Sequence, residues 1–306
     1  NNGGGAGVIY AVASDAGTNS TININDGTFT GNKSGRAGVI FTANGSGNVE
    51  VNLNGGYFAE NETTDSVAGS VIRGRAGQIN VTGGTYENNL CSHASAVGGA
   101  FNTKQEGTNP EPTLIISGNP VIRNNKNAAG TISNFYTNTA TMLKFGNLGE
   151  DAGIGVYPGV EAQQALGATF ATAVSSPASA ITNLDRIHSD LSSGIVGEGD
   201  SSTNIKWKAS TSGYFGDKID DEYTCQWNYD ATTGAMTISP REGYENTASF
   251  TDASALKDKI AEAGLTWANI KSLATNIPEG ASKIKANGTM QDLFRGQTSV
   301  TSVDLS

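Results

Sequence analysis

Val49, Val51 and Leu53 alternate with Glu50 and Asn52, and the same rhythm returns at Ile22 and Ile24 and again at Ile79 and Val81. A period of two marks a strand with one buried face. Around the first of these runs, three short strands are predicted, over 38–42, 48–53 and 56–58. Glycine and asparagine fill the intervals, where corners need a positive φ or a side chain that bonds its own backbone.

The pattern is periodic on a longer scale. A phrase Gly-[Thr/Tyr]-[Phe/Tyr]-x-x-Asn begins at Gly27, Gly56 and Gly84 and closes on Asn32, Asn61 and Asn89, with a degenerate copy from Asn119 to Asn124. The closing asparagines are 29, 28 and 35 residues apart. A second phrase, Ala6-Gly7-Val8-Ile9, recurs at Ala37 and, with a serine inserted, at Ala68, starting 31 residues apart each time. Gly98-Gly99-Ala100-Phe101 and Ala129-Gly130-Thr131-Ile132 read as weaker copies. A fixed period of this size means stacked units that bury their apolar faces only against one another. Three strands and three corners per turn describe a right-handed parallel β-helix, in which five coils would stand about 20–25 Å tall.

Within such coils, Asn32, Asn61, Asn89 and Asn124 are expected to form an inward ladder, each amide bonding the coil above and below. The alternative is a polar row offered to a ligand. Phe29, Phe58 and Tyr86 occupy matching positions and should stack in the interior. Residues 104–112 carry two prolines, which cannot join a central ladder, so a protruding loop is expected there, the best place to seek recognition.

Beyond residue 160 the period is lost. Residues 160–173 are alanine-rich and predict a short helix, 205–208 a strand, and 223–239 a β-hairpin closed at Thr232-Thr233-Gly234. Asp185, His188 and Asp190 invite a metal or acid–base reading, but a helix would put only 185 and 188 on one face; solvated or capping roles are expected. Asp217, Asp220, Asp221 and Glu222 offer oxygens to calcium without the spacing of an ordered loop motif. Thr251 or Asp252 can cap a helix ending near Gly264, and Thr266-Trp267 opens a second, running through Ile270 and Leu273.

Composition narrows the function. The chain of 306 residues suggests more than one domain, and we place boundaries at 1–160, 161–248 and 249–306. A net charge of −10 argues against nucleic acid. No apolar run reaches the ~18 residues needed to span a membrane. The start on Asn1-Asn2-Gly3, without an initiator Met, suggests an excised piece of a longer, exported protein. Cys91 and Cys225 read as separate buried thiols, a disulfide being the alternative.

These repeats resemble those of secreted pectin-lyase-like β-helix proteins, particularly the glycine- and asparagine-rich surface proteins of bacteria; residues 117–125 and 148–156 are similar to the closing coils of that group. Leu293-Phe294, Val300 and Val303-Asp304-Leu305-Ser306 resemble one BspA-like leucine-rich repeat. The fold expected is therefore mainly β: the β-helix, then a small α+β segment leading into a leucine-rich repeat. The resemblances imply a non-catalytic adhesin or structural stalk, secreted or on a bacterial surface, whose partners are host proteins, glycans or other cells. The alternative is a polysaccharide lyase or glycoside hydrolase, with Arg36, Arg73 or Arg75 beside Glu50 or Glu60 on adjacent coils. Thr28, Thr30 and Thr85 repeat too loosely for an ice- or mineral-binding face. No catalytic, cofactor-binding or metal-binding residue is assigned, and calcium is the one cofactor considered.

Overall fold

The computed structural model describes the chain apart from residues 1, 4, 44–46, 67–68, 95–97, 104–111, 137–141, 158–160, 231–232, 252–253, 264, 287–301 and 305–306. It divides into two compact units, one formed by Asn1–Leu191 with Val196–Lys208 and the other by Ser192–Ile195 with Ala209–Ser306.

The first unit is a parallel β-solenoid. In its second coil the three predicted strands appear as Ile40–Thr42, Asn48–Leu53 and Tyr57–Ala59. A fourth, Glu62–Thr63, is two residues long, too short to show any alternation in sequence. Strands of successive coils pair in parallel and in register, so Ile22, Val51, Ile79, Leu114 and Leu143 form one inward row. The last four are completely buried. On the next wall Phe29, Phe58 and Tyr86 stack as expected, with ring centroids 4.7 and 4.8 Å apart. The stack continues through Phe101, met edge-on, to Phe135.

The repeated glycine of the Ala-Gly-Val-Ile phrase has a steric cause. A Cβ on Gly38 would run into the Ser70 carbonyl of the next coil, and one on Gly7 into the Gly38 carbonyl. The copy proposed at Ala129 is out of register. Phe101 pairs with Phe135, so the matching residues are Ile132-Ser133-Asn134-Phe135. The offset arises because Asn127 folds a tight turn, its Oδ1 accepting from the Ala129 and Thr131 amides. Gly77 combines φ +83° with a carbonyl, Val49 O, where a Cβ would stand. Gly77→Ala is therefore expected to cost at least about 2 kcal/mol, against less than about 1 kcal/mol for alanine at Gly153, where φ is negative and nothing lies in the way. Urea midpoints of the two variants check this.

Past residue 160 the sheets go on. Thr169–Ala173 adds in parallel to Leu143–Leu148, and Ile187–Ser189 to Gly153–Val156. Between them in the same fourteen-stranded sheet lie Asn204–Ala209 and Ser192–Gly199, so the two walls become continuous at this end. The helix predicted over 160–173 is absent: a single 3-10 turn, Glu161–Gln163, precedes the strand. Packing overrides alanine's helix propensity here, since Phe170 is buried against Trp207 with centroids 3.5 Å apart. The strand expected at 205–208 is present within Asn204–Ala209.

The second unit is built on the predicted hairpin, Glu222–Asp230 with Ala235–Pro240, flanked by Ser212–Ile219 on one side. On the other side Ser272–Thr275 and then Ser302–Asp304 add in parallel. The helix Ser254–Glu262 covers the sheet with Leu256 and Ile260, which join Phe215, Trp227, Met236 and Leu273 in the core. The second helix proposed from Thr266 is only the 3-10 turn Trp267–Asn269. Asn269 Oδ1 accepts from both the amide and the hydroxyl of Thr266, and the chain then turns extended so that Leu273 pairs with Met236. Of the leucine-rich phrase only 302–304 falls among the described residues; Leu293, Phe294, Val300, Leu305 and Ser306 lie outside them, as does Asp252. Cys91 and Cys225 are both buried and neither is in a disulfide, and burial pushes the Cys225 thiol up to about 11, which keeps it unreactive.

Candidate functional site

The inward ladder exists, and it is longer than expected. Asn32 Nδ2 donates to Asn61 Oδ1 at 2.9 Å, Asn61 to Asn89 at 2.9 Å, and Asn89 to Asn125 at 2.7 Å. At each rung the backbone N–H of the donor residue also points to the same oxygen, at 3.0–3.1 Å. The fourth member is thus Asn125, 36 residues beyond Asn89, and not Asn124. Asn124 is exposed and takes φ 56°, the corner conformation that Glu60 and Asn88 adopt just ahead of Asn61 and Asn89. Two adjacent asparagines therefore serve different needs, a left-handed corner and a buried amide. Asn125 continues to Asn134 Oδ1 at 2.7 Å, only nine residues on, across the turn that Asn127 closes.

The last rung is an acid. Asn134 Nδ2 donates to Asp190 Oδ1 at 2.7 Å, and the Asn134 amide donates to Asp190 Oδ2 at 2.9 Å. Two donors meet two oxygens that carry no hydrogen of their own, as the end of a donor chain requires. Burial raises the Asp190 carboxyl to about 6, and the two bonds from Asn134 act in the opposite direction. His188 stands on the exposed side of the strand Ile187–Ser189 and Asp185 in the 3-10 turn Leu184–Arg186 before it. The structure therefore does not bring Asp185, His188 and Asp190 to one point. The sequence suggests only a solvated or capping role for Asp190, because a ladder partner 56 residues away leaves no local pattern.

The outer face of the long wall carries a second set of amides. Asn52 Nδ2 donates to Asn23 Oδ1 at 2.9 Å and Asn80 Nδ2 to Asn52 Oδ1 at 2.7 Å. Asn54 bonds Asn25 in the same way, and the Thr82 hydroxyl donates to Asn54. These bonds run from later coil to earlier, opposite to the inner ladder. Charged groups on the other walls pair between coils: Lys33 with Glu62 at 2.7 Å, and Arg123 with Glu87 at 2.9 Å. The lysine bond and the Ser92 hydroxyl hold Glu62 below the usual carboxylate range.

Arg73 is buried and its Nη1 donates to Asn102 Oδ1 at 2.6 Å, whereas Arg36 is exposed with its guanidinium 5.5 Å from the centre of the Phe41 ring. Glu50 accepts from Asn80, and Glu60 occupies a corner. In the second unit, Asp217 accepts from the Ser249 and Thr251 hydroxyls, Asp220 and Asp221 form a turn with positive φ, and Glu222 pairs with Arg241 at 3.0 Å. Among the described residues no three His, Cys, Asp or Glu side chains converge as metal ligands. The loop singled out for recognition lies, at 104–111, outside the described residues. Among the described residues no helix is long and apolar enough to cross a membrane. No protein family, curated protein or solved structure matches this chain.

Proposed function

We infer that the chain belongs to a non-catalytic bacterial surface protein, an adhesin or structural stalk that holds binding surfaces for host proteins, glycans or other cells. In this reading the solenoid is a right-handed β-helix of the pectin-lyase-like kind. The parallel strands Ser272–Thr275 and Ser302–Asp304, whose residues pair 30 apart, open a leucine-rich array of the BspA-like kind. The observation that carries the reading is the outer face of the long wall. Its amides are bonded to one another in rows, coil to coil, which supports a rigid displayed surface and a rod in which polar groups serve stacking. The acidic balance suits an exported rod that must stay dispersed.

Incubating the purified chain with insoluble polysaccharides and immobilised matrix proteins, and scoring retained protein and released sugar in the same tube, tests this. Retention without release is the expected result. Reducing ends or unsaturated products would overturn it in favour of a polysaccharide lyase or glycoside hydrolase.

A further inference from the structure

The first coil is built like an interior coil but leaves its apolar residues in the open. Val8 is 46 % and Tyr10 58 % exposed, whereas Val39 and Phe41, their counterparts in the second coil, are 0 % and 1 % exposed. Ile9, Ile22 and Phe29 are only partly buried, while Ile40, Val51 and Phe58 beside them are fully buried. The polar groups repeat the contrast. In the second coil the amides of Asn54 and Tyr57 donate back to Ile24 O and Gly27 O, each at 2.8 Å. Their counterparts, Asn25 and Thr28, hold the same places on the open side. Asn61, Asn89 and Asn125 each accept two N–H groups at Oδ1 from the coil before. Asn32 Oδ1 accepts from no described residue. Sheet edges are usually guarded by charge, proline or a bulge, yet Ile9–Ala11, Asn19–Ile24 and Thr28–Thr30 contain no charged residue and no proline.

We propose that this edge is an open stacking interface, filled by one further coil of the same repeat that leads into the chain through Asn1. The surface is the coil-to-coil contact of the solenoid continued by one step, so its occupant is specified position by position. It brings apolar residues over Ile22 and Ile24, an aromatic over Phe29, and carbonyls for the Asn25 and Thr28 amides. The phase of the repeat reaches the first residue. Asn2–Gly3 pairs in register with Lys33–Ser34, and in the sequence Asn1 precedes Asn2 as Asn32 precedes Lys33. Asn1 itself lies outside the described residues. The aromatic therefore belongs three residues ahead of Asn1, as Phe29 stands three ahead of Asn32 and Phe58 three ahead of Asn61. A second copy of the chain fits less well. Head to head, it would set Asn32 Oδ1 against its own equivalent, two acceptors with no donor between them. Head to tail, it would meet Asn204–Ala209, which runs antiparallel beside Thr169–Ala173.

To test this, the full chain is compared with one in which a copy of residues 33–60 is joined ahead of Asn1, so that Asn1 follows it as Asn61 follows Glu60. A third chain carries the same added residues in scrambled order. Amide exchange followed by NMR is expected to slow at least about tenfold at Asn25 and Thr28 with the ordered extension, and to stay unchanged with the scrambled one. Equal exchange at these two amides in both extended chains, with Asn54 and Tyr57 still protected, would overturn the proposal. The unextended chain provides a second test, which stands even if the extension folds poorly. There Asn25 and Thr28 must exchange much faster than Asn54 and Tyr57. Slow exchange at Asn25 and Thr28, in a monomer or in a dimer seen by sedimentation, would mean that the chain itself or a second copy already covers the edge, and would overturn the proposal as well.

Discussion

Asn89→Ala is expected to lower the stability of the solenoid by about 3–5 kcal/mol. Asn89 is 1 % exposed, and its Oδ1 accepts both the backbone N–H and the Nδ2 of Asn61. Its own Nδ2 reaches Asn125 Oδ1 and the Phe58 carbonyl. Truncation leaves two buried donors unanswered above and deprives two acceptors below, each at a cost of roughly 1–3 kcal/mol when water cannot enter. Asn23→Ala, which removes an exposed amide from the outer row, should cost less than about 0.5 kcal/mol. Urea denaturation of both variants checks the contrast; equal losses would mean that the inner ladder contributes nothing beyond the outer one.

Phe58→Ala should cost a similar amount, about 3–5 kcal/mol, for a different reason. Its ring is fully buried between Phe29 and Tyr86, nearly parallel to the first at 6° and to the second at 15°. Rigid strands on either side are fixed by register and cannot close the cavity. Phe29, at the end of the stack, is only half-buried, and Phe29→Ala should cost about half as much. The ratio of the two losses, read from the same denaturation series, distinguishes a stacked interior from independent side chains.

Much of this architecture was legible because repetition converts weak local patterns into a strong one. Val49-Glu50-Val51-Asn52-Leu53 alone predicts a strand; its recurrence at the coil period predicts a stack, and the structure has both. The misreadings cluster where the period slips. At Asn124 and Asn125 the phrase was aligned one residue early, because two identical residues stand side by side and only the corner conformation tells them apart. At 129–132 the Asn127 turn displaced the frame by three residues. Alanine-rich 160–173 and the start at Thr266 promised helices on propensity, but the neighbouring strand edges were worth more than helical turns. The place of Asp190 at the end of the ladder leaves no trace in the sequence for a deeper reason. Its meaning depends on Asn134, which stands nine residues after Asn125 through a shortcut that no period predicts.

The opposed directions of the two amide sets bear on how long such a rod can be. In an α-helix every peptide dipole points the same way, and the sum gathers as partial charge at the ends. Here a coil such as the one bearing Asn52 and Asn61 carries an outer carboxamide that points toward the first coil and an inner one that points toward the last. Their axial dipoles largely cancel within the coil, and the strand peptides, whose N–H and C=O groups point along the axis to the neighbouring coils, alternate in direction and add little. A solenoid that keeps both sets can therefore be extended coil by coil without electrical polarity accumulating along its length.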